Sequence, residues 1–339
     1  MKKLFLSLVA AMMCATATFA QKDRVATLTH EGTVKTFYGT DALREALEAA
    51  DDGDVISLSS GVFHIERISK GVTILGAGMQ DDEEQNVEKT WIRGISSTGY
   101  QCKIGVNISE DAEHPLNFKN VQVGDDYHKL QLYSDLRDAT FTKCFIEGGI
   151  DEENAVCKNV NFVQCSCKYI NHKQDSEANY LNCYIEAHSG FQIRTGSSIS
   201  FMNCTLIGDC FYNFNNSTFL NCVLYETSTS STSDDRLNTS NTVDNCLGYH
   251  HHTEKTVWDN GKSCKVIHTD IFKEGTFYEL TDEAKALISS TDGTEIGMYG
   301  GQYPYNPIPD GPRITKFNVA TKSSADNKLS VDVEVSSAE

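Results

Sequence analysis

Five short segments set ionisable and aromatic side chains beside apolar ones: L-Q-L-Y at 130–133, I-D-E-E at 150–153, Y-I-N-H-K at 169–173, F-Q-I-R at 191–194 and F-Y-N-F-N at 211–215. Alternate residues of a strand point to opposite faces. Phe191 and Ile193 then point one way, Gln192 and Arg194 the other. If neighbouring segments pair, one face gathers Asp151, Glu153, His172, Lys173, Gln192, Arg194 and Tyr212. Such a set suits a sugar polymer. Carboxylates and amides hydrogen-bond hydroxyls, Arg or Lys pairs with a uronate, and Tyr stacks on a sugar ring. The same set offers β-elimination, with Arg194 or Lys173 as base, a cation neutralising the uronate, and Glu153 as a further candidate. The plainer expectation, preferred to catalysis, is a solvated sheet whose cross-strand ion pairs contribute ~0.2–1 kcal/mol each.

Other chemistries find less support. An inverting hydrolase needs two carboxylates across the bond, and no motif selects a pair from Asp151, Glu153 and Asp209. His250-His251-His252 follows Tyr249, but strand neighbours face opposite ways, so no metal site is expected there. Cys165 and Cys167 are the only close cysteine pair, without a second pair or a His at zinc spacing. The acidic run Asp81–Glu84 lacks the alternating ligands of a calcium loop. No cofactor is expected, with calcium entering only if the protein is a lyase. The chain has 47 acidic and 29 basic residues, so nucleic acid is not an expected partner. No run of ~18 apolar residues follows the start of the chain, so no membrane-spanning helix is expected.

Residues 1–20 read as a signal peptide: Lys2 and Lys3, an apolar core from Leu4 to Ala15, and Thr18-Phe19-Ala20 before Gln21. Export to the periplasm, the cell surface or the medium is therefore expected. Without the leader the chain holds 27 basic and 47 acidic residues, a balance of −20, and eleven cysteines. An odd number leaves at least one thiol free or paired between chains.

The cysteines sit in a repeat. F-T-K-C-F-I at 141–146, F-V-Q-C-S-C at 162–167, Y-L-N-C-Y-I at 180–185, F-M-N-C-T-L at 201–206 and F-L-N-C-V-L at 219–224 share one pattern, with F-K-N-V-Q-V at 118–123 and V-D-N-C-L-G at 243–248 as outer copies. Successive copies start 18 to 24 residues apart. That irregular period predicts an all-β fold, a single-stranded right-handed parallel β-helix with three short strands and three bends per coil. Asn tolerates the left-handed backbone of a bend, so Asn120, Asn182, Asn203, Asn221 and Asn245 would align as a ladder. Cys144, Cys165, Cys183, Cys204, Cys222 and Cys246 would form an inward column of small apolar residues. Disulfides between coils ~4.8 Å apart are the sharper alternative.

Both ends of such a column need covering. Thr40 or Asp41 can cap a helix over Ala42–Ala50, with Ala42, Leu43, Ala46 and Leu47 as its apolar stripe. D-G-D-V-I-S-L-S-S-G-V-F-H-I at 52–65 and K-G-V-T-I-L-G-A-G at 70–78 follow as strands and bends. This helix-then-strand entry resembles the pectate-lyase-like right-handed β-helix superfamily, and D-G-T-E-I-G-M-Y-G-G at 292–301 is similar to the closing segment of secreted bacterial proteins of that class. The resemblance covers about residues 25–310. It implies a fold rather than a chemistry. The paired aspartates, Gly-His-Gly and Arg-Ile-Lys of polygalacturonases are missing, as are the Trp-Ile-Asp-His and Arg-x-Pro-x-x-Arg of classical pectate lyases.

The expected organisation is a leader (1–20), an N-terminal strand and cap helix (21–54), the β-helix (55–301), a Pro-rich linker (302–312) and a C-terminal β-hairpin tail (313–339). The Ser/Thr-rich stretch 227–242 reads as a bend loop. The expected function is that of an exported, non-catalytic monomer that binds a polysaccharide or a cell-surface protein. A polysaccharide lyase or glycoside hydrolase with a divergent site is one alternative. A purely structural or adhesive surface module is the other.

Overall fold

The computed structural model describes residues 24–83, 87–95, 102–152, 155–187, 192–209, 211, 213–228, 236–252, 255–310, 312–319 and 331–337. The leader, Glu153 and Tyr212 lie outside the described residues. The chain winds as a parallel β-solenoid of about nine turns. Successive turns add strands to a long sheet, from Val55–Leu58 to Gly261–Lys262, and to a second sheet, from Gly61–Ile65 to Lys265–Ile267, each in sequence order. The third side is paired in part. Arg67–Ile68, Cys102–Val106, His128–Leu132 and Ile150–Asp151 form one short sheet, and Asn171–His172 with Gln192–Ile193 another.

The sequence repeat is the corner between the two main sheets. Asn120, Lys143, Gln164, Asn182, Asn203, Asn221, Asn245 and Ser263 all have positive φ, between 48° and 57°. This conformation costs most residues ~1–2 kcal/mol, and Asn less because its short side chain bonds locally. The turn therefore recurs at one position per coil. It holds every coil in the same register: Phe118, Phe141, Phe162, Tyr180, Phe201 and Phe219 are direct neighbours across the long sheet. Their rings stack along the interior at centroid spacings of 5.2, 5.0, 4.5, 5.0 and 4.9 Å. These values match the ~4.8 Å strand spacing.

The residue after each corner from Cys144 onward is a cysteine, and Cys144, Cys165, Cys183, Cys204, Cys222, Cys246 and Cys264 are all free thiols. The column includes Cys264 beyond the expected members, because Ser263 takes the corner position there in place of Asn. From Cys165 onward the thiols of the column also reach a carbonyl of the preceding coil: Cys165 Sγ to Phe141 O, Cys183 Sγ to Phe162 O and Cys204 Sγ to Tyr180 O, all at 3.3 Å. Cysteine thus fills a tight apolar position and supplies a weak donor where the chain leaves the sheet. Burial pushes the Cys144, Cys183 and Cys204 thiols up, which keeps them protonated.

At the N-terminal end, Val25–His30 pairs antiparallel with both Thr33–Tyr38 and Val55–Leu58. Glu31 and Gly32, at φ 45° and 80°, supply the two left-handed residues of a tight hairpin turn. Helix α1 (Ala42–Ala49) buries Ala42, Leu43, Ala46 and Leu47 in the same core as Ile56 and Phe63. Asp41 stands at its N-cap position but makes no side-chain cap; its carboxylate lies 3.5 Å from Arg44 instead.

After the last coil, helix α2 (Asp282–Leu287) is capped by Thr281, whose hydroxyl accepts from Ala284 N at 3.2 Å. The chain then runs back along the corner. Asn245 Nδ2 donates to Ser289 O at 2.8 Å, and Asn221 Nδ2 to Thr291 Oγ1 at 3.0 Å. Asn182 Nδ2 donates to Met298 O at 2.9 Å and Gly300 O at 2.6 Å, Gln164 Nε2 reaches Pro304 O, and Lys143 Nζ donates to Ile308 O at 2.9 Å. Lys143 and Lys119 both engage Asp310, the latter at 3.1 Å. Gly300 lets this strap bend tightly, since a Cβ there would lie 1.6 Å from Glu295 O. Residues 302–310 are therefore held along the solenoid through Pro304, Ile308 and Asp310. The amides expected to ladder together mostly hold this strap; Asn245 to Asn221, at 2.8 Å, is a direct amide pair. Pro312–Val319 and Val331–Ser337 pair antiparallel as a hairpin.

Adjacent residues on the long sheet test this register. Phe219 is buried in the stack and Thr218 faces solvent. Phe219→Ala should destabilise by about 3–5 kcal/mol, whereas Thr218→Ala should stay within about 0.5 kcal/mol, both read as shifts of the thermal unfolding midpoint.

Candidate functional site

Among the described residues, the outward face of the second sheet carries a cluster of aromatic and paired charged side chains. Trp91, Gln122, Phe145, Ser166 and Tyr184 align across five coils, and Glu147, Lys168 and Glu186 align beside them. From Tyr184 onward the face is covered. Tyr184 lies 4.9 Å from both the Phe277 and Tyr278 rings, and Tyr225 lies 5.0 Å from Phe272. Ile207, Val223 and Leu247 are buried beneath residues of 271–305. Before Tyr184, Trp91, Phe145 and Lys168 remain partly open to solvent.

Trp91 is positioned by its indole N–H, which donates to Gly124 O at 2.8 Å. Arg93 and Lys89 lie over its ring at 4.5 and 5.1 Å. Arg93 pairs with Asp125 at 2.9 Å, and Asp125 also engages His128 Nδ1. Burial alone would raise the Asp125 carboxyl, but His128, the Tyr127 N–H and Arg93 outweigh it and hold the group below its usual range. One coil on, Gln122 Nε2 donates to Glu147 at 2.7 Å. Glu147 pairs with Lys168 at 2.9 Å, and Lys168 lies 5.6 Å from the centre of the Phe145 ring. The result is two rings with fixed polar neighbours and paired charges. A cleft of about 400 Å³ near α1 gathers Arg44, Glu48, Glu66, Arg67 and Lys70 but no aromatic side chain.

The face expected from sequence is different. Asp151 is half-buried and pairs with Lys103 at 3.5 Å. Arg194 is exposed, and its backbone N–H donates to His172 O at 3.0 Å. Gln192 lies on the strand paired with Asn171–His172, and Lys173 is half-buried beside it. Glu153 and Tyr212 lie outside the described residues. His172 corrects the expectation: it is the register partner of inward Ile193, is 2% exposed, and points into the core.

There it meets a residue the sequence reading passed over. His172 Nδ1 lies 2.7 Å from Glu152 Oε1, and His172 Nε2 lies 2.8 Å from Tyr180 OH. Glu152 Oε2 accepts from Lys173 N at 2.8 Å and Ser176 Oγ at 2.5 Å. Burial works against its charge, but His172, Ser176 and the Lys173 N–H outweigh it and hold the carboxyl below its usual range. The hydroxyl contact explains why a Tyr replaces Phe in the ring stack at this one coil.

Comparison with protein-family models, curated proteins and solved structures gave no match. The site is therefore read from its own geometry.

His250, first of the three consecutive histidines, is buried against Glu226 at 3.1 Å, and its Nδ1 accepts the His252 N–H at 3.0 Å. Burial, with His251 and Lys255, pushes its pKa down to about 4. The unfolded chain, titrating near 6.5, binds this proton first, so the contribution is full above about pH 6.5 and fades toward pH 4. The unfolding midpoint should fall across that window, and less so in His250→Gln, as followed by circular dichroism.

Proposed function

We propose that this is an exported, non-catalytic protein of the pectate-lyase-like, right-handed β-helix class that binds a glycan on the open stretch of its second sheet. The observation that carries this reading is Trp91, held by Gly124, partly exposed beneath Arg93 and Lys89, and outside the later part of the same face that residues 271–305 roof. A sugar ring presents apolar C–H groups to Trp91 and Phe145, while Glu147, held by buried Gln122, and Lys168 address its hydroxyls. Trp91 and Phe145 are two strand spacings apart, ~10 Å, so the ligand is an oligosaccharide rather than a single sugar. Its charge is neutral, because Arg93 and Lys168 already carry carboxylate partners in Asp125 and Glu147.

The same pairings argue for binding over cleavage. A glycosidase acid needs a raised carboxyl, and Asp125 is held down. A lyase base must be deprotonated near its working pH, whereas Glu147 holds the Lys168 ammonium up against the opposing effect of burial.

Isothermal titration against neutral and uronate-bearing oligosaccharides, with reducing ends and unsaturated products counted in parallel, tests this. A neutral glycan should bind without cleavage. Trp91→Ala should weaken binding about tenfold or more, a loss of at least ~1.4 kcal/mol, while Arg194→Ala and Lys173→Ala leave it unchanged. Cleavage of any substrate, or binding lost through Arg194 rather than Trp91, would overturn the reading.

A further inference from the structure

The buried Glu152–His172 cluster contains a third donor. Cys157 lies in the strand Cys157–Lys158, and one ligand atom from each of Glu152, Cys157 and His172 lies within 4.8 Å of the others. All three residues are buried. Cys157 does not follow one of the corner residues that precede the cysteine column, so its place is not accounted for by that packing pattern.

The partners of the remaining atoms are what single this cluster out. Tyr180 OH occupies His172 Nε2, and Ser176 with the Lys173 N–H occupies Glu152 Oε2. His172 Nδ1 and Glu152 Oε1 are left facing one another at 2.7 Å. Metal-bound histidines and carboxylates are oriented in this way, each held through its other atom. With Nδ1 protonated, His172 donates to Glu152 Oε1 and accepts from the Tyr180 hydroxyl; in the other tautomer, whose Nε2–H Tyr180 accepts, the Nδ1 lone pair and Oε1 converge on one point and a bound cation takes the place of the proton.

We propose that Glu152 Oε1, Cys157 Sγ and His172 Nδ1 form a zinc site inside the solenoid. A mixed oxygen, nitrogen and sulfur donor set suits Zn²⁺. The charges also balance. One carboxylate and one thiolate neutralise the dication, which removes the cost of an isolated buried charge. Without metal, burial and Glu152 push the Cys157 thiol up, so it is protonated. Coordination reverses this, and the thiol proton leaves to solvent as the metal enters. Three protein donors leave one coordination position for water. The site ties the coil of Glu152 and Cys157 to the next, which carries His172. It is structural and independent of glycan binding at Trp91.

The test is metal analysis of the full chain refolded with excess zinc and passed through a desalting column. Wild type should retain about one more zinc per chain than Cys157→Ser. Cys204→Ala, which alters a column cysteine of the same burial, should retain the wild-type amount. Refolding with cobalt should give a thiolate-to-metal absorption band that Cys157→Ser lacks, and Tyr180→Phe should weaken the site about 10- to 100-fold. Equal zinc in wild type and Cys157→Ser overturns the proposal. If Cys157→Ser does not fold, the wild-type cobalt spectrum decides: a thiolate band supports the site and its absence overturns it.

Discussion

The left-handed corner residue is the constraint on which the rest of this molecule depends. It sets where each coil turns from the long sheet into the second, so the residue two before it and the residue after it always face inward. The ring stack and the thiol column follow from that, because identical positions in successive coils are brought one strand spacing apart. Asn suits the corner twice over. Its backbone accepts the conformation at low cost, and its amide, left outside the sheets, is free to hold another segment. The strap that returns over residues 289–310 is that segment, and it meets Asn245, Asn221 and Asn182 in reverse order.

The strap in turn decides which surface is left for function. Residues 271–305 roof the second sheet from Tyr184 onward and so convert its outward aromatics into a second core. The earlier coils keep Trp91, Phe145, Glu147 and Lys168 in partial contact with solvent, and their charges are already paired within the sheet. A surface with rings and satisfied ions favours a ligand of many hydroxyls over one of high charge. The large negative balance of the whole chain, −18, is carried elsewhere and does not define this patch.

Much of the fold was legible in the sequence, because the corner writes itself as a repeated Asn-Cys pair between apolar residues. Cys264 escaped notice since Ser263 replaces the Asn, and the corners at Lys143 and Gln164 show that the conformation, not the residue type, is what recurs. The Pro-rich stretch after residue 301 read as a linker because prolines mark chain without strand pairing; backbone carbonyls such as Pro304 O and Ile308 O accept from the corner, and no pattern announces that. The site was less legible. Trp91 stands in T-W-I-R-G at 90–94, ahead of the first clear repeat copy, so its coil partners cannot be assigned without the register. His172 was misplaced by one residue of phase, which is enough to exchange surface for core. Glu152 looked like one of several surface acids, although its burial depends on the three donors that surround it.

Hydrogen exchange on Asn182→Gly is the most direct test of the corner's double role. Glycine keeps the left-handed backbone but removes the amide that holds Met298 O and Gly300 O. If the corner holds the strap, the amides of Gly297, Gly300 and Tyr305 should exchange about tenfold faster or more, as expected for losing hydrogen bonds of ~1 kcal/mol each, while the strands Val160–Val163 and Ser198–Met202 keep their protection. Unchanged exchange in the strap, or loss of protection through all coils together, would contradict the account.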